Sequence, residues 1–117
     1  MDFEKLDVWK KSSAMSVEMY LHLAALKDFG FKDQITRSAL SIPSNIAEGM
    51  ERDSSKERIK FLGYAKGSCG ELRTQLYIGM KIGYIDGPFG SSAVQETRQI
   101  SSMLAGLINR IKNDALI

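Results

Sequence analysis

The residues able to attack, titrate or hold a metal are few. His22 is the one histidine and Cys69 the one cysteine. A serine or cysteine nucleophile needs a histidine beside it, and a zinc site needs several Cys, His or carboxylate ligands. His22 lies among Leu21, Leu23 and Ala24, the setting of a packed or surface histidine. Cys69 shares a helical line with Ala65 and Leu72 and has no sequence neighbour suited to be its base, so it reads as a buried, inert thiol. The Glu-x-x-His pairs of a di-iron bundle do not occur. The segment Gly63-Tyr64-Ala65-Lys66-Gly67-Ser68-Cys69-Gly70 invites comparison with a phosphate loop, but Lys66 precedes its glycine and the segment lies inside an apolar seam. Gly63, Gly67 and Gly70 predict instead a close helix contact, within the chain or between subunits, that offsets the ~1 kcal/mol each costs against alanine. No catalytic residue, metal, cofactor or small-molecule substrate is expected.

Two polar patterns are more informative. Ser38, Ser41, Asn45, Glu48 and Arg52 advance by alternating threes and fours, a stripe beside the apolar face of a helix. Ser68, Glu71 and Gln75 repeat the pattern further on. A solvated face usually carries Lys and Glu, so serine and asparagine here predict hydrogen bonding between two helices, a structural network. The alternative is an enzyme pocket between the same helices, with Glu48 or Glu71 as acid or base. The second pattern is basic. Between Glu51 and Lys81 seven bases stand against four acids, a net of +3, and Arg52, Lys56, Lys60, Lys66 and Arg73 are the candidate nucleic-acid-binding residues. In one copy such a run is a solvated face; a symmetric oligomer would multiply it into a surface that phosphates feel.

Helical periodicity accounts for the elements that hold these residues. Leu6, Trp9, Val17, Tyr20 and Ala24, widened by Met15, Met19 and Leu23, predict a first helix ending near Lys27, with Asp28-Phe29-Gly30 as the turn. Ile35, Ala39, Ile42 and Ile46 predict a second helix ending at Gly49. Pro43 lies inside it and predicts a kink, with Ser41 and Ser44 placed to bond freed backbone groups; two short helices with Asn45 capping the second is the rival. Ser54 and Glu57 form a capping box for a third helix of ~30 residues along Leu62, Ala65, Cys69, Leu72, Leu76, Gly79 and Gly83. After the turn-rich stretch from Gly83 to Gly90, Ser92 and Gln95 predict the start of a fourth helix with Ala93, Thr97, Ile100, Leu104, Leu107 and Ile111 on its seam. Short links make sequential helices antiparallel, so the expected fold is all-α, an up-down-up-down four-helix bundle with a proline-kinked second helix.

Composition fits one such domain over residues 1–117. A chain of 117 residues and 13.0 kDa with 44% apolar and 26% charged residues has room for one core and is not of disordered type. A single cysteine excludes a disulfide-stapled fold and points to a reducing, cytoplasmic setting. Acidic residues precede any apolar stretch, and no apolar run approaches the ~20 residues of a membrane span, so no membrane partner is expected. The net charge of +2 selects no partner by itself.

The run Ser41-Ile42-Pro43-Ser44-Asn45-Ile46-Ala47-Glu48-Gly49, with Leu6-Asp7-Val8-Trp9 and with Gly67-Ser68 followed by Glu71, resembles the bacterial four-helix-bundle family first noted as reading frames within intervening sequences of large-subunit ribosomal RNA. This 23S rRNA intervening-sequence protein family implies an antiparallel bundle that assembles into a pentameric ring, without enzymatic activity. A related branch, the accessory proteins of diversity-generating retroelements, looks like basic pentamers that bind RNA and a reverse transcriptase. The resemblance thus implies a homo-oligomer in which the polar stripe and the helix-three glycines serve packing or subunit contact, with structured RNA or an RNA-handling protein as partner. A protein–protein adaptor without nucleic-acid binding is the alternative.

Overall fold

The computed structural model describes residues 2–116, so the two terminal positions of the expected 1–117 domain lie outside it. After a single 3-10 turn at Phe3–Lys5 come four helices: α1 Asp7–His22, α2 Phe29–Met50, α3 Ser55–Lys81 and α4 Gly87–Ala115. No strand occurs among the described residues. Pairs across the helices give the direction of packing. Phe31 of α2 lies by Gly79 of α3, Ser41 by Ser68, and Gly49 by Phe61, so numbers climb on one helix as they fall on the other. Met80 beside Gly90 and Arg73 beside Thr97 give α3 and α4 the same relation, and His22 at the end of α1 meets Asp86 at the start of α4. The bundle measures 50 × 20 × 20 Å, and α1 runs beside α2 and α4 and not beside α3, which puts α1 and α3 on a diagonal. The core is a column of fully buried side chains, among them Met19, Ile35, Ile42, Leu72, Leu76 and Leu104. Each such side chain contributes ~1.5–3 kcal/mol by leaving water.

The helix ends follow from local chemistry and move several expected boundaries. Asp28 ends no helix; its carboxylate accepts the Phe31 amide at 3.1 Å and caps α2, so α1 stops at His22 and Gly30 is an ordinary first-turn residue. Ser54 accepts the Glu57 amide at 3.1 Å, as the capping box predicts, while the Glu57 carboxylate leans to within 4.0 Å of Lys60. α3 ends earlier than the seam implied. Gly83 takes φ +83°, the Tyr84 amide bonds the Gly79 carbonyl and the Gly83 amide that of Met80, so Gly83 terminates the helix in a Schellman motif. The stretch read as a long turn is the start of α4. Asp86 accepts the Phe89 amide at 3.0 Å and Pro88 occupies the first turn, where its missing N–H costs nothing.

Two packing expectations change. Val17 and Tyr20 are 57% and 46% exposed, while the inward line of α1 runs through Val8, Ser12, Met15, Ser16, Met19 and Leu23. Of the expected apolar face, Met15, Met19 and Leu23 point inward and Val17 and Tyr20 do not, because small serines serve on the inner face. The Ser12 hydroxyl donates to the Trp9 carbonyl at 3.2 Å and so needs no outside partner. α2 is continuous through Pro43, which removes the two-helix alternative. The Ser41 hydroxyl donates to the carbonyl of Ser38, not to that of Ala39, the group the proline deprives of its partner.

Candidate nucleic-acid interface

The polar stripe assembles where α2 faces α3. The Ser41 and Ser68 hydroxyls lie 2.7 Å apart, and Ser41 also lies 2.8 Å from the Ser38 carbonyl. A hydroxyl has one proton and a carbonyl only accepts, so Ser41 donates to Ser38 and receives the proton of Ser68. The Ser38 hydroxyl donates to Gln34 and the Asn45 amide to the Ser41 carbonyl, at 3.1 and 2.8 Å. Ser38, Ser41, Ser68 and Glu71 line an open groove of about 510 Å³ together with Asp33 and Arg37, which pair at 3.0 Å. Gln75, next on the α3 stripe, has a buried Oε1 without a hydrogen-bond partner. Glu48 departs from the group: it is exposed and paired with Arg52 at 2.9 Å, the geometry of a surface ion pair and not of a proton shuttle.

The five basic residues do not form one patch. Arg52 and Lys60 lie at the α2–α3 end, with Arg52 4.6 Å from the Phe61 ring centre and Lys60 6.0 Å from it. Both have carboxylates close by, Glu48 and Glu57. Lys56 is exposed one turn before Lys60. Lys66 and Arg73 instead turn toward α4, where they meet Arg98, Ser101 and Ser102 along a groove of about 300 Å³. Arg73 Nε donates to Thr97 Oγ1 at 2.9 Å, and the buried Thr97 hydroxyl passes its own proton to the Val94 carbonyl at 2.6 Å. Arg98 donates from Nη2 to the Tyr77 hydroxyl at 3.1 Å. Arg98 was missed in the sequence because the seam residues Thr97, Ile100 and Leu104 were followed and the adjoining line Arg98, Ser101, Ser102, Ala105 was not.

The isolated chemical groups settle into structural roles. Burial pushes the Cys69 thiol up to about 11, against the opposing pull of Arg73 and Lys66, so it is protonated and unreactive at neutral pH. His22 stacks on Phe89, ring centres 3.7 Å apart and planes within 3°, and its Nε2 lies 2.9 Å from the Asp86 cap. It fastens the end of α1 to the start of α4. Tyr84 donates its hydroxyl to Asp28 at 2.9 Å, fastening the end of α3 to the start of α2. Among the described residues, no cluster of three His, Cys, Asp or Glu side chains is placed to hold a metal, and no helix is long and apolar enough to cross a membrane.

Gly79 of α3 packs on Ile85 and Phe31, but the three glycines of the outer line pack against nothing within the protomer. A Cβ added at Gly63, Gly67 or Gly70 meets no atom within 4 Å, so of the two contacts their spacing predicts, the one inside the chain is absent. Tyr64, Tyr77 and Ile78 border them and are about half exposed.

A crystal structure of a protein of unknown function from the S23 ribosomal protein family, from Bacteroides thetaiotaomicron VPI-5482, matches with a TM-score of 0.81 at 28% identity. The match covers 86% of this chain and 97% of that one. No curated protein matches. The family model described as 23S rRNA-intervening sequence protein matches residues 4–106, the span from the 3-10 turn through most of α4. On that match, which takes in both polar patterns, the chain belongs to the 23S rRNA-intervening sequence protein family.

Proposed function

We propose that this protein works without catalysis, as a cytoplasmic homo-oligomer that presents basic surface to structured RNA. The observation that carries the self-association is the outer face of α3, where Gly63, Gly67 and Gly70 leave open space between exposed Tyr64, Tyr77 and Ile78. Glycine inside a helix costs ~0.5–1 kcal/mol relative to alanine. Three on one exposed line are a cost without return in an isolated protomer; a helix of a second copy lying in that shallow track supplies the return. On the far side of the diagonal, α1 and α2 expose Val17, Tyr20, Leu21, Phe29 and Leu40. Two different apolar surfaces on opposite sides favour head-to-tail contacts, which close into a ring when the rotation permits, and the family resemblance supports a ring of five.

Light scattering coupled to size exclusion, at micromolar concentration, tests the assembly. A mass of several protomers is expected, and Gly67→Glu disperses it while leaving the helical circular dichroism intact. A wild-type protein that is only monomeric overturns the proposal. The exposed α1–α2 band also supports a second reading, an adaptor for an apolar protein surface. An assembled ring whose partner binding does not vary with salt would favour that reading.

A further inference from the structure

We infer that the groove between α3 and α4, built on Lys66, Arg73 and Arg98, is the surface that holds the phosphodiester backbone of RNA. The inference rests on the RNA reading above and assigns it to a place. What marks this groove is that three cations without a carboxylate partner line one surface and two of them are anchored. Arg37, Arg52 and Lys60 each have a carboxylate within 4.0 Å. Among the described residues none reaches Lys66, Arg73 or Arg98 that closely, and the two arginines are anchored by neutral oxygens, Thr97 Oγ1 and the Tyr77 hydroxyl.

A neutral anchor fixes a guanidinium without cancelling its charge. Arg73 is held through Nε, and Thr97 is itself fixed by the Val94 carbonyl, so the two terminal amino groups of Arg73 stay available to a ligand. Little side-chain freedom remains to be lost on binding, and a planar fork suits a phosphate's paired oxygens. Lys66 and Arg73 are two turns apart on one side of α3, a rise of ~10.5 Å, which sets them against different phosphates of a strand. Ser101 and Ser102 on the α4 wall add hydroxyl donors without adding a carboxylate. By contrast, the α2–α3 groove mixes Asp33 and Glu71 with Arg37 and would repel a polyanion as much as attract it.

The test is fluorescence anisotropy of a labelled 20-base-pair RNA hairpin with the assembled protein at several salt concentrations. Three phosphate contacts per protomer predict a slope of log Kobs against log salt of about −2 to −3 for each protomer engaged. Arg98→Gln lowers that slope by ~1 per protomer while Arg98→Lys largely keeps it, which separates charge from structure. The triple variant Lys66→Gln, Arg73→Gln, Arg98→Gln loses at least tenfold in affinity at low salt, whereas Lys56→Gln with Lys60→Gln changes it less than twofold. If the Lys56 and Lys60 variant loses binding and the groove variant keeps it, RNA binding stands and the groove assignment falls. If wild-type protein does not bind the hairpin, or binds it without salt dependence, the groove and the RNA reading fall together.

Discussion

Replacing Gly63, Gly67 and Gly70 together by alanine separates what these glycines do for the protomer from what the proposed assembly asks of them. All three lie inside α3 at ordinary helical φ, and an added Cβ meets nothing within 4 Å. Each substitution therefore removes glycine's backbone entropy cost without a clash, a gain of ~0.5–1 kcal/mol per site. Summed over the three sites this is ~1.5–3 kcal/mol, or a rise in Tm of ~5–15 °C for a domain of this size. The assay is thermal unfolding followed by circular dichroism across a dilution series, with mass measured in parallel. In the dissociated protomer the triple variant melts higher than wild type. At concentrations where wild type assembles, the gain shrinks or reverses, because three methyl groups hold a second helix off the track. A triple variant that melts at or below wild type in the dissociated regime refutes the reasoning, since the protomer's own atoms would then fill that space.

Leu104→Ala, at a fully buried site facing the centre of the bundle, costs ~2–5 kcal/mol, read as a lower midpoint in urea unfolding. Gln75→Met relieves the unpartnered Oε1 and raises stability by ~1 kcal/mol in the same assay. Cys69, with its thiol pushed up to about 11 by burial, resists a thiol-labelling reagent at pH 8 in the native protein and reacts fully in denaturant; rapid native labelling contradicts the buried site. The ties at the bundle's ends give stability a window in pH. The amide of Phe31, then the Tyr84 hydroxyl, hold the Asp28 carboxyl below its ordinary value, and the Phe89 amide does the same for Asp86. A lowered carboxyl pKa stabilises the fold above ~4 and loses that contribution as pH falls through the folded value. The bond to Asp28 raises the Tyr84 phenol, so its contribution is complete below ~10 and fades as pH climbs through the higher folded value. Tm against pH should fall on both sides, and Asp28→Asn with Asp86→Asn should flatten the acid limb.

How much of this was legible in the sequence depends on whether a signal is local. The seams of α2, α3 and α4 could be read because one line of apolar residues served as the core of each, from Ile35 to Ile46, Leu62 to Leu76 and Ile100 to Leu107. α1 could not be read that way. Its inner line includes Ser12 and Ser16, and its outer face carries Val17, Tyr20 and Leu21, so hydrophobicity alone points partly away from the core. The caps were ambiguous for a different reason: Asp28 and Asp86 follow helical or turn-like sequence and precede new helices. An aspartate before a glycine fits a turn and an N-cap equally well, and only the amide it accepts decides between them.

The candidate interface was half legible, and the missing half is the instructive one. Lys66 and Arg73 were visible as members of a basic helix, but so were Lys56 and Lys60. Glu57, three residues from Lys60, is a partner the sequence shows; what it does not show is which helix lies alongside and brings Arg98 to Lys66 and Arg73. α3 has α2 on one flank, with Glu48, Asp33 and Glu71 near the contact, and α4 on the other, with Arg98, Ser101 and Ser102. The +3 excess of the segment is therefore not spread along the helix. Acids and a base line one flank while bases and serines line the other, so the two grooves differ in charge although they share a wall. On the proposed reading a polyanion arriving at α3 goes to the α4 side, and the hydroxyls of Thr97 and Tyr77, neither of them charged, hold the guanidinium groups there.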